Sequence, residues 1–93
     1  MPRSLILALL LLTAAPASAE CYADYKAKQD DPLRLAYGVA QVSDGNCDPG
    51  SAEGELAPRL ADAGWTLLNV MSVFGPEGLS EREGRAGDHF LRY

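Results

Sequence analysis

The chain has 93 residues with 8 basic and 13 acidic side chains, a net charge of −5, and 47% hydrophobic residues. That length fits one small domain with a modest core. The acidic balance argues against nucleic acid or an anionic membrane surface as a partner, since both need basic patches.

Residues 1–19 read as a cleaved export signal. Arg3 supplies the positive start, Leu5 to Leu12 an apolar run, and Ala17-Ser18-Ala19 a small-residue cleavage site. The apolar run is shorter than the about 20 residues needed to span a bilayer, so no stable membrane anchor is expected after cleavage. Glu20 stands immediately before Cys21, where a lipidated cysteine would need a small residue. The expected product is Glu20–Tyr93, a single α+β domain of the periplasm or a secreted fluid. All 13 acids but 7 of the 8 basic residues lie in it, giving a net charge of −6.

Two cysteines, Cys21 and Cys47, fit one structural disulfide in an exported domain of this size. Closing a loop of that length stabilises by about 3 kcal/mol in the chain-entropy model. A redox role is not favoured, because the spacing is not CxxC and no cation stands beside either thiol in sequence.

Tyr22 to Gln29 has helix propensity and a weak apolar stripe, which predicts a short helix or turn. Residues 33–42 alternate, with Leu33, Leu35, Tyr37 and Val39 on one face, and predict a half-buried strand. Ser43 to Gly50 is rich in turn residues. Leu56, Leu60 and Ala63 form a helical stripe that Gly64 stops, predicting a helix over 52–63 with Pro58 near its first turn. Residues 65–74 carry no charge and are apolar on both faces, which predicts a central strand needing cover on two sides. Residues 75–88 predict a long loop, in which Ser80 and Glu83 have the spacing of a capping box. Residues 89–93 predict a closing strand.

Leu56, Leu60, Gly64-Trp65, Leu67 and the closing Phe90-Leu91-Arg92-Tyr93 resemble the signature of the DUF4177-like small domains, over Leu33 to Tyr93. The resemblance implies a β-α-β-β fold: a three-stranded, mostly antiparallel sheet with one helix on one face. It implies no catalytic residues. The export signal, the cysteine pair and the long loop depart from the pattern.

Chemistry is sparse. Asp44, Asn46, Asp48 and Glu55 fall at the first, third, fifth and twelfth positions of a calcium loop, but Pro49 stands where that loop needs glycine. His89 is the single histidine, too few nitrogen ligands for zinc once the cysteines are paired. No spacing suggests a nucleophile with its base, so no enzyme activity and no cofactor are expected. Trp65 is expected in the core. The function expected is a non-enzymatic protein-interaction module, acting as a homodimer or on an envelope protein through Leu68, Phe74, Glu81, Arg82 and Arg85. The alternative is a small ligand- or calcium-binding protein using the Asp44–Asp48 loop.

Overall fold

The computed structural model describes residues 20–93; the predicted export signal, residues 1–19, lies outside the described residues. Strands β1 (Cys21–Gln29), β2 (Arg34–Val42) and β3 (Thr66–Phe74) form one antiparallel sheet in the order β2-β1-β3. Helix α1 (Pro49–Asp62) joins β2 to β3, and helix α2 (Ser80–Ala86) follows β3. The class is α+β, as expected, but the order is β-β-α-β-α instead of β-α-β-β.

The largest departure is Tyr22 to Gln29, which forms the central strand and not a helix or turn. Its alternation is masked by short and charged residues. Ala23, Tyr25 and Ala27 face α1, while Tyr22 and Asp24 are buried on the opposite face. Two antiparallel ladders outweigh the small helix preference of alanine, lysine and glutamine. Tyr25 stands opposite Gly38 in β2, and its ring covers that glycine. Any side chain at position 38 would collide with the Tyr25 ring and hydroxyl.

Residues 65–74 were expected to form the central strand; β3 is instead an edge strand. Two irregularities in its pairing with β1 explain its apolar character on both sides. Tyr25 pairs with Val70 and Asp24 with Ser72, leaving Met71 extra; Lys26 pairs with Asn69 and Ala27 with Leu67, leaving Leu68 extra. Both bulged side chains are exposed.

Helix α1 begins three residues before the expected 52–63 span. Asp48 caps it by accepting the Ser51 N–H at 2.9 Å, and Pro49 occupies the first turn. Pro58 therefore lies in the helix interior. It is exposed, as is Gly54 four residues earlier, so the carbonyl it leaves unpaired faces water. Gly64 ends the helix at φ 88°, the left-handed conformation expected of it.

Residues 75–88 are not a simple loop, and 89–93 do not form a strand. A short 3-10 turn at Pro76–Gly78 leads into α2, whose N-cap is Leu79 without a side-chain bond, so Ser80 does not cap. Phe90 makes one parallel bridge to Val39.

Two clusters result. α1 buries Ala52, Leu56 and Leu60 against Ala23, Tyr25, Ala27, Ala40, Val42 and Val70, with Trp65 at the border. On the opposite, outer face, α2 and the residues after it gather Tyr22, Val39 and Ala86 with Tyr37, Phe74, Leu79 and Phe90 around them. Cys21 and Cys47 are disulfide-bonded, tying the start of the central strand to the loop before α1.

Candidate functional site

The outer sheet face has a closed end and an open end. At the closed end lies Asp24, 4% exposed. Its carboxylate accepts hydrogen bonds from the Ser72 hydroxyl at 2.7 Å, the Tyr37 hydroxyl at 2.8 Å and the Arg82 guanidinium Nε at 3.1 Å. Burial pushes the Asp24 carboxyl up, but the bonds from Ser72, Tyr37 and Arg82 outweigh it and hold the group below its ordinary range. Tyr37 is pushed up to about 12, first by burial and then by its bond to Asp24. Arg82 also donates to the Gly78 carbonyl at 2.8 Å and lies 3.9 Å over the Phe74 ring. Arg85 lies 4.3 Å over the Tyr37 ring. One buried carboxylate thus joins β1, β2, β3 and α2.

The open end begins at Lys26, one pleat further along β1 on the same face. Among the described residues no helix reaches it. Leu35 is 70% exposed, Leu33 64% and Leu68 48%. Lys26, Ala27, Leu35, Ala36, Tyr37 and Leu68 line a shallow hollow of about 230 Å³.

The expected interaction residues divide between these ends. Phe74 and Arg82 are packed together at the closed end, and Arg85 covers Tyr37 there; Glu81 is exposed and pairs with Arg82 at 2.9 Å. Leu68 belongs to the open end. Asp24 was missed in sequence, where one acid in a short alternating stretch gives no sign of burial.

The Asp44–Glu55 constellation is a loop anchor. Glu55 accepts from the Asn46 amide at 2.7 Å, from the Ser43 N–H at 2.9 Å and from the Ser43 hydroxyl at 3.2 Å, and pairs with Arg59 at 3.0 Å. The Asn46 amide, the Ser43 N–H and Arg59 hold its carboxyl below the usual range. Asn46 offers a donor, not an oxygen, and Asp48 caps α1. Among the described residues, no group of three or more histidine, cysteine, aspartate or glutamate side chains is placed to hold a metal ion.

His89 stands edge-on to Trp65 at 5.2 Å between ring centres and beside Tyr93, whose hydroxyl is 3.3 Å from His89 Nδ1. Trp65 is buried, as expected. Arg59 donates to the main-chain oxygen of Tyr93 and to the Gln41 carbonyl, fastening the last residues to the sheet.

The disulfide fits an oxidising compartment. No helix among the described residues is long and apolar enough to cross a membrane. No protein-family model, no curated protein and no solved structure matches the chain.

Proposed function

We propose that this chain is an exported, non-enzymatic protein-interaction module of the periplasm or a secreted fluid, and that it works through the open end of its outer sheet face. The observation that carries the reading is the exposure of Leu35 and Leu68 at one hollow, with Leu33 exposed near it, on a face whose other end α2 covers. Apolar side chains clustered in this way mark contact surfaces. The closed end serves as support: it fixes the strands through Asp24 and presents no free catalytic pair.

The test is photo-crosslinking of the exported protein in intact cells. A photoreactive residue at position 35 should give discrete adducts that the same residue at exposed position 77 does not. Equal adduct patterns from the two positions would overturn the reading.

A further inference from the structure

The two edges of the sheet are finished differently. On β3 the bulges at Leu68 and Met71 break the ladder, and the Glu53 carboxylate accepts the outward Val70 N–H at 3.3 Å. On β2 the Val39 carbonyl accepts from the Leu91 N–H at 2.8 Å, and the Gln41 carbonyl accepts from Arg59 at 2.9 Å. These bonds show that the odd-numbered residues of β2 turn their main-chain groups outward. By the same alternation, Leu35 and Tyr37 do so too. Among the described residues nothing takes up the outward N–H and C=O groups of those two. The unfinished edge lies beside the hollow.

The cations of this acidic chain are also unevenly used. Lys28, Arg59 and Arg82 are ion-paired, and Arg85 and Arg92 lie over tyrosine rings. Lys26 and Arg34 make no ion pair and lie over no ring among the described residues, and both sit at the open end. The acids of that end are Asp30 and Asp31 in the β1–β2 turn, and Asp30 is held by Lys28 at 3.4 Å.

Resting on the reading of the open end as a contact surface, we propose that its occupant is an extended acidic segment of a partner protein. It adds a strand outside Arg34–Tyr37. Its main chain pairs with the free groups of Leu35 and Tyr37. On the outer face its apolar side chains lie against Leu35 and Tyr37 at the mouth of the hollow. On the other face an acid stands opposite Arg34, and Lys26, one strand further in, adds longer-range attraction for a negatively charged segment. A second copy of this chain fits less well. Two-fold pairing centred on Leu35 sets Arg34 of each copy beside Ala36 of the other, so both guanidinium groups share one face with no acid to answer them.

The experiment uses the exported, oxidised protein and fluorescein-labelled decapeptides of alternating Glu-Val, Lys-Val and Ser-Val, read by anisotropy. The Glu-Val peptide is expected to bind, and to bind about tenfold more tightly than the Lys-Val peptide. The preference should vanish in a Lys26→Glu/Arg34→Glu variant, whose circular dichroism and melting curve check the fold. Methylating alternate amide nitrogens of the Glu-Val peptide should abolish binding, because the ladder would be lost. Equal binding of all three peptides, still lost in Leu35→Ser, would overturn the acidic segment and leave the contact surface standing. Binding of the Glu-Val peptide that tolerates both Leu35→Ser and amide methylation would overturn the strand geometry. No binding by any peptide, with a dimer by light scattering that Leu35→Ser dissolves, would replace the acidic segment with a second copy.

Discussion

The closed and open ends of the outer face are built from the same three strands, yet they meet opposite fates. At the closed end, the Asp24 carboxylate accepts from the Tyr37 and Ser72 hydroxyls and from Arg82 of α2, and Tyr22, Val39 and Phe74 supply apolar surface beneath it. At the open end, Lys26 and the bulged Leu68 are exposed, and nothing among the described residues covers them. A seven-residue helix is long enough for one end only. The difference lies less in how apolar each end is than in whether a buried charge is present to fix the cover in place.

The sharpest way to break the contrast is Asp24→Ala. It strands the Arg82 guanidinium and two hydroxyls, and should lower stability by about 2–3 kcal/mol in urea unfolding. Acid should act on the same group. The folded carboxyl lies below its ordinary value, so its contribution is present above the unfolded pKa of about 3.9 and is lost as the pH falls through the lower, folded one. Wild-type stability should therefore drop below about pH 4, and Asp24→Asn should lose part of that slope. Tyr37→Phe removes one bond to Asp24 and should cost about 1 kcal/mol. Tyr25, pushed up to about 12 by burial, and Tyr37 should both ionise late in ultraviolet titration. Their raised values mean stability is fully present below about pH 10 and lost as the pH rises through about 12. At the open end, Leu35→Ser should change stability by less than about 0.5 kcal/mol, since the side chain is already in water. Equal losses for Asp24→Ala and Leu35→Ser would erase the distinction between the ends.

Much of the frame was legible. The Leu56–Leu60 stripe stopped by Gly64 gave α1, the alternation from Leu33 to Val42 gave β2, and the cysteine count gave the disulfide. What failed did so for physical reasons. β1 hides its period because its buried positions include two alanines and an aspartate, which hydropathy cannot rank. β3 looked two-faced because bulging Leu68 and Met71 adds side chains without adding ladder positions. α2 has no apolar run, and its docking depends on Arg82 finding an acid 58 positions earlier. Of the candidate site, Leu68 was visible by its type. The free edge was not, because edges follow from strand order.

That strand order also governs when the molecule can come into being. The central strand is the first element of the described chain, and the second of its two ladders is closed by residues 66–74. The β1–β2 hairpin can pair early, but until β3 arrives one whole side of β1 offers unmet hydrogen-bonding groups. No stretch ending before Thr66 is a finished unit. A chain emerging vectorially from a ribosome or a translocation pore would remain a loose hairpin until nearly all of it had passed, and would then close in a single late step.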